Sequence, residues 1–151
     1  MRLLPVSTCF LVLSADSLSS LTLAQAPSTD AQKATVVVFR KTKFGARAVD
    51  PPVFCDEREL AWMDNGRYFS VKVAPGKHVI RSEHDKDVVK LDARAGETYY
   101  VEVNLRMGKF KAKGAVTSVP KEKGEKDIEK LRPLAKKNVV ATEVSLEPIS
   151  K

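Results

Sequence analysis

The chain reads as mainly β: a β-sandwich of immunoglobulin-like or prealbumin-like topology with one C-terminal helix. Strand-sized segments follow one another from Ala34 to Val119, and several of them alternate apolar and polar residues. Turn signals at Asp64-Asn65-Gly66, Ala74-Pro75-Gly76 and Ala95-Gly96-Glu97 separate them. Short strands between turns about eight to twelve residues apart belong to sandwiches rather than to strand-helix-strand units.

The first residues concern compartment rather than fold. Arg2 precedes an apolar stretch from Leu3 to Leu13, and the small residues Thr22, Ala24 and Ala26 follow, which is signal-peptide order. Ala24-Gln25-Ala26 fits the small-x-small cleavage rule, and a cut after Ala24 is the alternative because Pro27 hinders the peptidase. Pro5, Ser7, Thr8 and Asp16 break the apolar run, which falls short of the about 20 residues that a bilayer span needs. No transmembrane span is expected there or later. Residues 1–26 are therefore read as a signal peptide and 27–33 as a flexible leader. Residues 34–135 are read as the β-sandwich domain with its terminal helix, and 136–151 as a C-terminal tail. The expected location is the periplasm, the cell envelope or the medium. Cys9 would leave with the signal, so Cys55 stands alone and no internal disulfide can form. Cys55 is expected as a small buried residue of a strand.

Ala34 to Arg40 is β-branched and apolar, as an internal strand should be. Val53 to Cys55 and Leu60 to Met63 flank Asp56-Glu57-Arg58 as a hairpin. From Arg67 to Val73, Phe69, Val71 and Val73 face the core while Tyr68, Ser70 and Lys72 face water. Asn65-Gly66 is a hairpin signal, since type I′ turns need positive φ. Pro75-Gly76 suits a type II turn. His78 to Glu83, Val88 to Ala93 and Thr98 to Leu105 continue the series, the last with Val101, Val103 and Leu105 inward and Tyr100, Glu102 and Asn104 outward. Arg106 to Gly114 reads as a basic, mobile loop, and Ala115 to Val119 as the last strand. Lys121 to Leu134 is the helical candidate, with an apolar stripe of Ile128, Leu131 and Leu134 that packs on an edge or end of the sandwich. Glu122 and Lys126 make a pair four apart, and Pro133 limits the helix. Asn138 to Val144 keeps some β-character.

The formal net charge of +7 favours anionic partners, and removal of Arg2 and Asp16 together leaves it unchanged. Export makes nucleic acid an unsuitable ligand. No cofactor motif and no nucleophile elbow occurs around Ser70, Ser82 or Ser118, and neither a catalytic nor a metal site is expected. His78 and His84 with Glu83, Asp85 and Asp87 form the one His and carboxylate cluster, which metal binding could use only if the groups converged. Candidate binding residues lie elsewhere. Arg106, Lys109, Lys111 and Lys113 surround Met107 and Phe110, a composition suited to an anionic membrane or polymer surface. Tyr100 is added as an outward aromatic. Trp62 is read as a plug of the core or its rim.

Ala34-Thr35-Val36-Val37-Val38-Phe39-Arg40, Val53-Phe54-Cys55-Asp56, Asp64-Asn65-Gly66-Arg67-Tyr68-Phe69, Val73-Ala74-Pro75-Gly76-Lys77-His78 and Ala95-Gly96-Glu97-Thr98-Tyr99-Tyr100-Val101, in that order, resemble a family of exported bacterial proteins, domain of unknown function 2846. The resemblance covers about Ala34 to Leu134. The Pro-Gly-Lys-His and Gly-x-Thr-Tyr-Tyr elements also resemble PEGA-type envelope modules. These motifs are turn and core chemistry, so the resemblance implies a fold and says little of function. In that family an Asp-Gly pair commonly follows the position of Cys55, where this chain has Asp56-Glu57. A non-enzymatic envelope module is the expected role, binding an anionic envelope polymer or lipid, or an envelope protein, without cofactor. The alternatives are a structural subunit pairing through a sheet edge and, more remotely, a metal-dependent hydrolase using His78 and His84.

Overall fold

The computed structural model describes residues 32–44, 48–84, 86–107 and 109–149. The segment expected as a signal peptide, most of the expected leader and Asp85 lie outside them. Among the described residues, ten strands and one α-helix follow in order. They are β1 (Ala34–Phe39), β2 (Pro52–Cys55), β3 (Arg58–Trp62), β4 (Arg67–Val73), β5 (Gly76–Arg81), β6 (Val89–Ala93), β7 (Thr98–Met107), β8 (Ala112–Val119), α1 (Lys121–Ile128), β9 (Arg132–Pro133) and β10 (Val144–Ser145), with a short 3-10 turn at Lys136–Asn138. The mainly β class with one helix near the C-terminus is as the sequence predicts.

The strands form two sheets. One runs β10-β4-β1-β7-β8 with β9 also on β4, and the other runs β3-β2-β5-β6. β1 is antiparallel to β4 and parallel to β7. Their inner faces share one apolar core, with Val36, Val38, Phe69, Val71, Val101, Val103 and Val116 from the first sheet. Val53, Cys55, Leu60, Ile80, Val89 and Leu91 come from the second. Alternation in β4 and β7 thus reports the core face correctly.

The turn signals sit where expected but do different work. β3 and β4 belong to different sheets, as do β4 and β5, and β6 and β7. Asn65-Gly66, Pro75-Gly76 and Gly96 therefore connect sheets, and the hairpin expected at Asn65-Gly66 does not form. Gly66 has φ 73°, whereas Asn65 keeps negative φ, so the two positive values of a type I′ turn are absent. The hairpins lie instead at β2–β3, β5–β6 and β7–β8. At the β2–β3 tip Asp56 takes φ 55°, the one positive value outside glycine among the described residues.

Two further expectations are corrected. The 106–114 loop is largely a ladder, since β7 and β8 stay paired out to Arg106 opposite Lys113 and Met107 opposite Ala112. Tyr100 and Tyr68 are not on a wet face. With Val37, Phe39 and Val119 they form a second apolar cluster on the outer side of the larger sheet, covered by Ile128, Leu131 and Ile149. The helix lies over that face rather than on an edge.

The helix stops at Ile128, six residues before Leu134, because the next backbone donors find a strand. Arg132 N–H donates to Gly66 O at 3.3 Å and Leu134 N–H to Tyr68 O at 2.8 Å, in a parallel pairing with β4. Pro133 falls between these two donors, where no N–H is needed. The apolar stripe consequently divides, with Ile128 and Leu131 on the outer cluster and Leu134 in the main core. Lys121 and Glu125 stand 4.0 Å apart as the pair along the helix.

The segment read as a tail from residue 136 is built into the body. β10 pairs with β4, and Val140 and Ala141 N–H groups both donate to Leu60 O at 3.0 Å. Residues 132–146 thereby join β4 of one sheet to β3 of the other. On the far side His84 N–H donates to Gly114 O at 2.9 Å, joining β8 to the loop after β5. Gly114 is required there, because a Cβ would stand 2.2 Å from Ser82 Oγ and 2.4 Å from Pro51 Cβ. Among the described residues no helix is long and apolar enough to cross a membrane.

Candidate functional site

The β7–β8 hairpin carries the expected binding residues. Arg106 and Met107 end β7, Lys113 lies opposite Arg106 on β8, and Lys109, Phe110 and Lys111 occupy the turn. β7, with ten residues, is the longest of the described strands, so its tip lies beyond the shared core. Met107 is 84% exposed and Phe110 97%. Tyr100, placed in the same site from sequence, is only 3% exposed beneath the helix and takes no part in it.

The cations are only partly free. Arg106 Nε lies 3.2 Å from Asp87 Oδ2, and Lys111 Nζ lies 3.5 Å from Glu83 Oε1. His84 Nδ1 is 3.1 Å from the same Asp87 oxygen. The acids after β5 thus serve as counter-charges at the base of the hairpin. Their cations still present most of their surface to water, and ion pairs of that kind contribute little. Lys109 and Lys113 form no ion pair among the described residues.

His78 and His84 do not converge. β5 carries His78 at its beginning, whereas His84 lies past its end. His78 instead meets the β2–β3 tip, where its Nδ1 is 2.9 Å from Asp56 Oδ2 while its Nε2 is 2.8 Å from Ala74 O. Asp56 Oδ1 accepts Val79 N–H at 2.9 Å. Cys55 Sγ is 3.9 Å from Asp56 Oδ2. The ligand atoms of Cys55, Asp56 and His78 all lie within 4.8 Å of one another, beside a cleft of about 430 Å³ that Arg58, Lys72 and Glu143 also line. An ion pair between Arg58 and Glu143 crosses its rim.

Protonation decides what this cluster can do. Burial opposes charge on His78, yet the Asp56 carboxylate and the Ala74 carbonyl raise its pKa above 6.5. Both ring nitrogens face acceptors, which suits an imidazolium donating twice. Burial likewise opposes charge on Asp56, but His78 and the Val79 N–H hold its carboxyl below 3.8. Burial and then Asp56 push the Cys55 thiol up to about 11. A metal there would have to displace the thiol proton of Cys55 and the bonds that His78 makes to Asp56 and to the Ala74 carbonyl. Through these contacts Asp56 clasps the β2–β3 tip to β5.

Sequence reasoning missed three features. Phe44 is 96% exposed, and its setting, Lys41-Thr42-Lys43-Phe44, repeats the basic and aromatic composition of the hairpin tip. The Cys55-Asp56-His78 association had no signal, since it joins neighbours in space. Arg40 was read as the end of a strand, yet it is buried, with Nη1 donating to Val49 O at 2.7 Å and Met63 O at 2.9 Å.

A family model matches residues 30–116, more than half of the 151-residue chain. The chain belongs to the family described as protein of unknown function, DUF2846. In this DUF2846 protein the match spans the hairpin tip, Phe44 and the Asp56–His78 clasp, and ends within β8 before the covering helix. No curated protein and no solved structure matches the chain.

Proposed function

We propose that this DUF2846 protein is a non-enzymatic module of the cell envelope, exported behind residues 1–26, that binds an anionic envelope component through the β7–β8 tip. The observation that carries the reading is the exposure of Met107 and Phe110 amid Arg106, Lys109, Lys111 and Lys113. Large apolar side chains standing in water among cations suit a surface that is both charged and able to take up apolar groups. The two sheets are read as an immunoglobulin-like or prealbumin-like sandwich of the PEGA type. Tyr99 supports this, because its hydroxyl bonds the Asp92 carbonyl at 3.0 Å and the Arg94 N–H at 3.1 Å, akin to a tyrosine corner.

The test is sedimentation of the protein with isolated envelope fractions over a salt series. A variant with Arg106, Lys109, Lys111 and Lys113 changed to Gln serves as the comparison. Co-sedimentation that the variant loses supports the reading. If both proteins stay in solution at low salt, the surface-binding reading is wrong. β6 favours a second reading, since it ends its sheet with no strand on its far side among the described residues. Addition of that edge to an envelope protein would give a stoichiometric complex insensitive to salt.

A further inference from the structure

β1 and β7 run parallel with Phe39 opposite Glu102, so the chain leaving β1 and the chain leaving β7 reach the same end of the molecule. Hydrogen bonds hold the segment after β1 there. Lys43 Nζ donates to Asn104 Oδ1 at 3.0 Å, and its backbone N–H donates to Asn65 Oδ1 at 3.1 Å. Asn65 Nδ2 returns a bond to Lys43 O at 3.1 Å. Phe44 follows immediately, almost wholly in solvent. Phe44, Met107 and Phe110 thus come from two separate segments to one end, accompanied by Lys43, Arg106, Lys109, Lys111 and Lys113. Single exposed apolar residues are ordinary. Three that accompany cations at one end are not.

We propose that this end seats on an anionic phospholipid bilayer, with Phe44, Met107 and Phe110 entering the boundary between headgroups and acyl chains and the lysines meeting lipid phosphates. The inference rests on the reading of the β7–β8 tip as a binding surface and names its partner. An anionic polymer in water would engage the cations and leave the three apolar side chains without a partner. A bilayer boundary takes both. Because Asp87 and Glu83 already offset Arg106 and Lys111, charge serves mainly to attract and orient, and apolar insertion provides retention.

The experiment uses the full chain with Trp62→Phe and Phe110→Trp, so that the single indole reads the tip and not the apolar amino-terminal segment. On vesicles containing phosphatidylglycerol the emission should shift to the blue, and brominated lipid should quench it. Phosphatidylcholine vesicles should produce little of either. Adding Phe44→Ala to the reporter should weaken partition about tenfold, the loss expected for one aromatic side chain. Phe44 is exposed, so its variant should keep the parent melting temperature. An emission that stays water-like while the chain still sediments with envelope fractions overturns the bilayer and leaves the binding surface standing. Loss of both overturns both. Equal response on the two vesicle types overturns the role given to the cations.

Discussion

Gly124 lies against the ring of Tyr100 so closely that a Cβ there would stand 2.3 Å from Cγ and 2.5 Å from Cδ1. The helix can therefore approach the outer face of the sheet only through a residue without a side chain. A glycine inside a helix costs about 1 kcal/mol against alanine, so propensity alone favours Gly124→Ala. The contact reverses the sign. Gly124→Ala should destabilise the protein by about 1–3 kcal/mol, the usual cost of overpacking. Urea unfolding checks it, with Lys123→Ala as the exposed neighbour that should stay within about 0.5 kcal/mol of wild type. A more stable Gly124→Ala protein would show that the contact is not tight.

Arg40 should matter as much as a core residue. Burial presses its pKa down while Asp50 and Asp64 oppose that, and it donates to the Val49 and Met63 carbonyls. Replacement by methionine keeps the bulk and leaves these acceptors without their donor. A loss of about 2–4 kcal/mol is expected. Chemical denaturation of Arg40→Met measures it, and a change below about 0.5 kcal/mol would contradict the assignment.

Cys55 should be nearly inert in the folded protein. Its pKa of about 11 against an ordinary 9.0 is a difference of two units, or about 100-fold less thiolate near pH 8. Its burial slows attack further. Reaction with a thiol reagent at that pH should be at least about 100-fold slower in the native state than in denaturant. Labelling at equal rates in both states would be incompatible with the packing at the β2–β3 tip.

The Asp56–His78 clasp predicts a pH dependence with a definite sign. His78 has its folded pKa raised above 6.5, so its contribution is complete below 6.5 and is lost as pH rises through the elevated value. Asp56 has its folded pKa depressed below 3.8, so its contribution is present above 3.8 and is lost as pH falls through the depressed value. The clasp is strongest between about pH 4 and 6.5. The difference in melting temperature between wild type and His78→Gln should peak in that window and narrow toward pH 9. A difference that grows above pH 7 would mean that His78 is neutral in the fold. Asp56 is half-exposed, so the effect should be modest.

Much of the fold was legible because it is written locally. Alternation in Arg67 to Val73 and Thr98 to Leu105 identified core faces, and the Asp56-Glu57 turn marked a true hairpin. The glycine-marked reversals sit at the expected positions, although Gly76, with φ 133°, opens β5 and does not close the expected type II turn. A turn shows that the chain reverses and does not show which sheet receives the next strand. Of the binding candidates, Met107 and Phe110 stand exposed at the hairpin tip. Tyr100 does not, because a residue outward on a strand is wet only if nothing else covers the sheet.

The sequence by itself determined the β class, the positions of most strands, the helix start after Pro120 and the basic balance of the chain, all of which depend on periodicity, turn chemistry and composition within a few residues. Tertiary structure alone decided the two-sheet order, the burial of Tyr68 and Tyr100, the His78–Asp56 clasp and the incorporation of residues 132–146 into the body. It also decided that Phe44 stands at the same end as the hairpin tip. Each of these joins residues far apart in the chain, where loop closure must be offset by contacts that exist only once both partners are in place.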